Sequence, residues 1–366
     1  MQIKFSSLHS LHRKLEKKFL ISFKKHLKMS TFIGGHEVAE FEKNFRKINE
    51  SKFCISCANG SDALVIAIKT LGIKPGDEVI TTSLSWIATS AAITSAGGKV
   101  VFCDINQNDF NISINQINKK ITHKTVGIIP VHLYGYPVDM PKILKIAKKN
   151  KLWVIEDCAQ AHLSKISNKT VGNFGDIGTF SFFPGKNLGA LGDAGCLVTN
   201  KKNLEKKARL IANHGGKGLH LLEGMNSRLD SLQASILNIK LKFLKKQTEA
   251  RIKNAEIYNN HLSNLKDLKI PKIDNKYKVV FNQYVIKTKK KDKLKIFLKK
   301  HGVETQVHYK QSLPAMKAYK YLNLKMKDYS HAITATKEIL SLPVSPEKKL
   351  KEIMHISKII KKFLAN

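Results

Sequence analysis

Between Phe53 and Thr199 short apolar runs alternate with helical stretches, and this alternation constrains the fold more than any other feature of the chain. Residues 53–58, 78–82, 100–105, 126–131, 152–156, 177–182 and 195–199 read as strands. Helical stretches such as Ala63 to Leu71 lie between them, and Pro75-Gly76-Asp77 supplies a turn. Strands joined through helices pair in parallel, because a parallel neighbour is reached only by a long crossover. Such a sheet is covered on both faces, and its ligands bind beyond the carboxyl ends of its strands. The pattern predicts an α/β fold with its chemistry at strand ends.

Past Asn226 the character changes. Residues 228–261 read as one long helix and residues 279–286 and 303–308 as strands, with helical stretches reaching about Leu364. This predicts a smaller α+β domain over residues 226–366, behind a large domain over residues 1–225. Near the N-terminus, Leu8, Leu11, Leu15, Phe19, Phe23 and Leu27 recur at helical spacing among basic residues. A basic stripe of this kind either lies on a membrane or docks on its own core, and docking is the expectation. No apolar run approaches the ~20 residues that cross a bilayer. Nor does an apolar stretch with a small-residue cleavage site open the chain, so a cytoplasmic location without a membrane span is expected.

The formal net charge of +36 invites a nucleic-acid function. Yet only five of the 64 basic residues are arginine (Arg13, Arg46, Arg209, Arg228, Arg251). Nucleic-acid surfaces draw on arginine for bidentate contacts. Lysine spread along the whole chain, with much Asn and Ile, points to a compositional bias instead, and no specific nucleic-acid partner is expected. The excess charge still steers anionic substrates. The five cysteines are odd in number and mostly inside apolar runs, which suits reduced, buried thiols. Cys54 and Cys57 form a C-x-x-C, but no second Cys or His pair stands at zinc spacing, and no metal site is expected.

Three strand-end clusters carry possible chemistry. Asn59-Gly60-Ser61-Asp62-Ala63 joins a strand to a helix, whose N-terminal amides and dipole suit a phosphate; an ordinary N-cap gives the same pattern. Trp153 to Gln160 is an apolar strand ending in Glu156 and Asp157. One of two adjacent carboxylates points inward and needs a cationic partner such as a protonated pyridine nitrogen, unless it only caps the next segment. Gly178 to Gly189 places Lys186 in a Gly/Pro-punctuated loop with no charged neighbour from Ile177 to Gly192. An amine in apolar surroundings has a lowered pKa and is a competent Schiff-base nucleophile. Gly189, Gly192 and Gly195 do not form the dinucleotide fingerprint.

With these clusters the chain resembles the sugar aminotransferases of the DegT/DnrJ/EryC1/StrS group, members of the aspartate-aminotransferase (type I) fold. The likeness runs from about Phe32 to the C-terminus. It includes Asn59 to Leu64, Pro75 to Ile80, His132-Leu133-Tyr134-Gly135, Glu156 to His162, Phe180 to Gly189, Gly192-Asp193-Ala194-Gly195, Asn226-Ser227-Arg228-Leu229-Asp230 and Leu340-Ser341-Leu342-Pro343. The resemblance implies a large domain with a mainly parallel seven-stranded sheet that binds pyridoxal 5'-phosphate. It implies that Lys186 attaches the cofactor and that Asp157 pairs with the pyridine nitrogen. Gln160 would contact the ring hydroxyl side and Trp86 would stack on the ring. Ser61, Asp62 and the nearby amides, that of Ala63 among them, would hold the phosphate with Ser181. Asn226 would reach it from the partner subunit of a homodimer, and Arg228, His308 and Tyr309 would approach the substrate.

The reaction so implied moves an amino group from L-glutamate to a nucleotide-activated 3- or 4-keto hexose, for surface polysaccharide or glycan assembly. The stretch Gly189 to Asp193 looks closer to 3-keto than to 4-keto enzymes. Gly185 stands where relatives carry Thr or Ser, Ala194 replaces a frequent Gly, and residues 162–169 lack the common Gly-Ala. A dehydratase branch has histidine at the lysine position, and Lys186 argues against it. Arg13, Arg46, Arg209 and Arg251 lie in lysine-rich stretches that read as solvated faces, so a two-arginine clamp for a dicarboxylate is not expected. The rival function is a non-catalytic or nucleic-acid-associated basic protein on the same fold.

Overall fold

One sheet positions everything that follows. In the computed structural model, which describes residues 2–216 and 218–365, three helices come first: α1 (Leu8–His12), α2 (Glu16–Met29) and α3 (His36–Asn49). Then β1 (Phe53–Cys57), β2 (Glu78–Thr82), β3 (Lys99–Cys103), β4 (Thr125–Ile129) and β5 (Trp153–Asp157) alternate with α4 (Gly60–Thr70), α5 (Ala88–Ser95), α6 (Ile114–Lys120) and α7 (Met140–Lys149). The short β6 (Lys165–Ile166) and β7 (Lys169–Thr170) precede β8 (Ile177–Ser181), β9 (Gly195–Thr199) and α8 (Lys202–Ala212). The main sheet has the order β1-β9-β8-β5-β4-β2-β3. Strands β8, β5, β4, β2 and β3 are parallel, and β9 runs against both its neighbours. The expected α/β architecture with a mainly parallel seven-stranded sheet is what the chain forms.

Both faces of that sheet are covered, as unbroken apolar strands require. Val79 and Ile80 are neighbours on β2, both 0% exposed, and they enter different cores. Val154 and Ile155 on β5 divide in the same way. One core includes Phe41, Phe45, Phe180 and Phe182; the other is built on the buried side of α4.

After the sheet come α9 (Ser231–Leu241), α10 (Leu244–Leu262), β10 (Tyr277–Lys278), β11 (Tyr284–Lys287), α11 (Lys291–Lys300), α12 (Ser330–Glu338), β12 (Ile339–Leu342) and α13 (Leu350–Ala365). β11 and β12 pair antiparallel, and β10 joins β6 and β7. The long helix expected over residues 228–261 is two helices. No Pro or Gly forces the break; the two halves have different partners. α9 packs on α2 and α3, whereas α10 packs on α13, and the chain turns at Lys242 and Phe243 to serve both.

Two expected strands also shrink. Of residues 279–286 only the end is a strand, because Phe281 takes a left-handed φ of 45° and breaks the pleat. Val279, Val280 and Phe281 are apolar because they are buried, not because they alternate across a sheet. Residues 303–308 make only isolated bridges, Val303 to Ile3 and Gln306 to Ser341. The N-terminal stripe is divided. Leu15 and Phe19 dock on Ile236, Ile239 and Phe243 as expected, but Phe23 and Leu27 face outward with Leu20 and Ile21. No helix among the described residues is long and apolar enough to cross a membrane.

Candidate active site

A cavity of about 850 Å³ opens beyond the carboxyl ends of β1, β5 and β8. Its walls include Ser61, Asp62, Trp86, Asp157, Gln160, Ser181, Lys186, His308 and Tyr309, so most of the residues singled out in the sequence meet in one place. The N-terminal segment closes one side with Phe5, Leu8, Leu11, His12 and Leu15. That wall was not foreseen. It is held by Ile3, whose N–H donates to the Gly302 carbonyl at 2.8 Å, and by the Ser7 N–H donating to Glu347 at 2.8 Å.

Lys186 lies in the loop between β8 and β9. Its pKa falls from 10.5 to about 8: burial disfavours the ammonium, and the charge of Asp157 recovers only part of that cost. Gly189 belongs to the same tight loop, where a Cβ would stand 2.5 Å from the Pro184 carbonyl oxygen.

The adjacent carboxylates of β5 part company. Glu156, fully buried, accepts from the His132 ring at 3.1 Å and from the amides of Gly172, Phe174 and Gly175 at 2.7–2.9 Å. The Val138 N–H donates to Nδ1 of His132, which leaves the proton on Nε2 and makes the ring a neutral donor. Oriented dipoles therefore satisfy Glu156 without a cation. Asp157 faces the cavity. It accepts from the Thr89 hydroxyl at 2.8 Å and the Ala159 amide at 3.1 Å, and no cation lies within 4.0 Å of it among the described residues. A protonated ring nitrogen would complete it.

α4 begins where Asn59 accepts from the Asp62 amide at 2.8 Å. The cap consumes that amide, and the Ala63 amide closes the first turn on the Asn59 carbonyl at 3.1 Å. Ala63 itself turns into the core. The Asp62 carboxylate accepts from the Ser227 hydroxyl at 2.7 Å. What the helix offers a phosphate is thus the amides of Gly60 and Ser61 and the Ser61 hydroxyl, with Ser181 opposite. Gly60 is required by that approach, since a Cβ there would stand 2.5 Å from Cβ of Ser181.

Gln160 is held at both ends of its amide, accepting from the Tyr134 N–H at 2.6 Å and donating to the Tyr309 hydroxyl at 2.8 Å. The Tyr134 hydroxyl in turn donates to the His308 carbonyl. His308 has its pKa lowered to about 4 by burial and the charge of Lys186, so it works as a neutral ring, hydrogen-bonded to Ser341 at 2.9 Å. Trp86 is 59% exposed, with its ring 5.9 Å from that of Tyr309. Buried His162 sits among Phe45, Phe180 and Phe182, its pKa lowered to about 3 by burial and then by the charge of Lys186.

Asn226 and Arg228 are exposed and are not part of this cavity within one chain. The five cysteines are all buried free thiols, and the C-x-x-C lies along β1. The expectation for Arg251 is overturned. It is 7% exposed and lines the cavity, because α10 turns this position inward to α13 and the loop at Phe281. Lys240, 8% exposed, lines it too, 3.2 Å from the ring of His12.

The sequence profile of the DegT/DnrJ/EryC1/StrS aminotransferase family matches residues 13–361. A pleiotropic regulatory protein of Geobacillus stearothermophilus is 41% identical over 99% of both chains. A UDP-N-acetyl-3-dehydro-alpha-D-glucosamine 3-aminotransferase of Acidithiobacillus ferrooxidans is 38% identical over 96% of this chain and 95% of its own. Among solved structures, DesV of S. venezuelae superposes with a TM-score of 0.97 at 29% identity, over 100% of this chain and 99% of that one.

Proposed function

The chain belongs to the DegT/DnrJ/EryC1/StrS aminotransferase family and is a pyridoxal-phosphate-dependent transaminase, and from that premise we propose that it carries an amino group from L-glutamate to a nucleotide-activated 3-keto hexose. One observation carries the site assignment: the amine of Lys186 and the unpaired carboxylate of Asp157 share a cavity whose third wall is the N-terminus of α4. These residues fit the cofactor. Lys186 would hold its aldehyde carbon, Asp157 its ring nitrogen, and Gly60, Ser61 and Ser181 its phosphate; Gln160 and Trp86 would flank the ring. Bound there, the cofactor supplies an electron sink for the donor's α-carbon.

The protein's own part is to bind, orient and move protons. Lys186, with its pKa lowered to about 8, can take the proton from the donor's α-carbon and return it, as general acid–base work requires. Asp157 would pair with a protonated ring nitrogen and favour its charged form. Neutral His308 and Tyr309 offer hydrogen bonds suited to sugar hydroxyls, and Gln160 fixes the Tyr309 hydroxyl. Exposed Asn226 and Arg228 serve the site of a partner subunit in a homodimer.

The 3-keto choice is supported by the name of the 38% identical relative and by the stretch Gly189 to Asp193. Its test offers the enzyme UDP- or dTDP-linked 3-keto and 4-keto sugars, oxaloacetate and pyruvate, with glutamate as donor, and reads products by mass spectrometry. Amination of the 3-keto sugar is expected. Efficient use of the keto acids with no sugar accepted overturns the proposal.

A further inference from the structure

Arg251 is a buried cation with no carboxylate within 4.0 Å among the described residues. Burial of an uncompensated charge is costly, so natural proteins keep one where a ligand completes it. Among the described residues its one hydrogen bond is long, from Nη1 to the Phe281 carbonyl at 3.4 Å, and no carboxylate lies within 4.0 Å. Three acids line the same cavity, Asp62, Asp157 and Asp193, but the first accepts from Ser227 and the second from Thr89 and Ala159. The field of Glu347 reaches the guanidinium, but neither of its oxygens lies within 4.0 Å: Oε1 accepts from the Ser7 amide and the Ser345 hydroxyl, and Oε2 is buried without a partner.

The arginine is tied to the reactive lysine through a short chain of contacts. Phe281 receives its hydrogen bond. The next residue, Asn282, donates to Asn187 at 3.0 Å, and Asn187 donates to the Val280 carbonyl at 3.2 Å. Asn187 follows Lys186 in the sequence. The polar groups of this corner are also incomplete: Asn282 Oδ1 and Gln283 Oε1 are buried without partners, and both residues line the cavity.

We propose that Arg251 is the carboxylate-binding residue for the amino donor, its planar guanidinium receiving one carboxylate beside Lys186. A fork of N–H donors matches a carboxylate in bidentate fashion, and desolvation in this corner strengthens the pair. Lys240 lines the same cavity beside His12, under the N-terminal wall. The assignment rests on the transaminase function and on a dicarboxylic amino acid as donor.

The test uses the cofactor-loaded enzyme, wild type and Arg251→Met. Glutarate, a dicarboxylate with no amine to react, is titrated against each by thermal shift, with uridine diphosphate in parallel. Glutarate binding is expected to weaken roughly 10- to 100-fold in the variant, with uridine diphosphate changed less than about twofold. The ligand-free variant should melt no lower than wild type, because an unpaired buried charge has been removed. In the half-reaction with glutamate alone, followed by cofactor absorbance, KM should rise far more than kcat falls. Weaker uridine diphosphate binding with unchanged glutarate would hand the arginine to the nucleotide and overturn the proposal. Equal loss of both ligands, or a clear drop in Tm, would make Arg251 structural and overturn it as well. A wild-type enzyme that takes glutamate but aminates no nucleotide sugar refutes only the acceptor.

Discussion

At Lys186 burial and Asp157 pull the amine in opposite directions, and burial wins, leaving the pKa at about 8 instead of 10.5. The free amine, the only form that attacks an aldehyde, therefore becomes abundant as pH rises through about 8. The rate at which cofactor-free protein takes up pyridoxal phosphate should rise with a midpoint near pH 8, followed by absorbance. Asp157→Asn removes the charge that favours the ammonium and should move that midpoint lower. A midpoint near that of an ordinary lysine, or an upward move in the variant, would contradict this balance. Lys186 and Asp157 were legible in the sequence because each ends or follows an apolar strand, where a charge stands out. Arg251 was not, since its lysine-rich neighbours disguise it. Its spacing held the signal: Leu244, Thr248, Arg251, Ala255, Tyr258 and Leu262 recur every three or four residues and form the buried side of α10. A charge on an apolar stripe is a stronger sign than a charge in a basic run.

At the scale of elements, the phosphate seat depends on how closely α4 approaches β8. Gly60→Ala would push a methyl group against the Ser181 backbone and side chain, 2.5 Å from its Cβ and 3.1 Å from its Cα. Because backbone cannot swing aside, the variant should lose about 1–3 kcal/mol of stability and bind the cofactor more weakly, by roughly tenfold. Unchanged Tm and cofactor affinity would show that the two elements separate freely. The seven main strands could be read from the sequence because burial on both faces makes each an apolar run. Where burial had another cause the same signal misled, as at Val279 to Phe281, which pack without pairing. The break between α9 and α10 left no local mark, because it follows from the different partners of the two helices.

For the whole molecule, the question is what covers the exposed apolar side chains. Leu219 and Leu221 are 75% and 68% exposed on the loop that leads to Asn226, and Phe23 and Leu27 project from α2. Exposed apolar groups in this number mark an interface, and a second copy of the chain is the proposed cover. Leu221→Glu should therefore shift the protein toward monomer in sedimentation and cut activity in proportion. If the proposed dimer shares its sites, mixing inactive Lys186→Ala subunits with inactive Asn226→Ala subunits should restore part of the activity, because each heterodimer would keep one intact composite site. No recovery despite proven exchange would count against a shared site.

The reversed strand β9 has a consequence for the order in which the protein assembles. Parallel neighbours such as β4 and β5 meet only after a helix-bearing crossover has formed, whereas β8 and β9 are joined by residues 182–194 alone. Closing a short loop costs less chain entropy than closing a long one, and contacts that are near in sequence form first. The reactive lysine thus rides on the most local pairing in the sheet, while Asp157 waits on β5 for long-range partners. The nucleophile's seat can be in place in a partly folded chain, but its chemistry switches on only when the last parallel strands arrive.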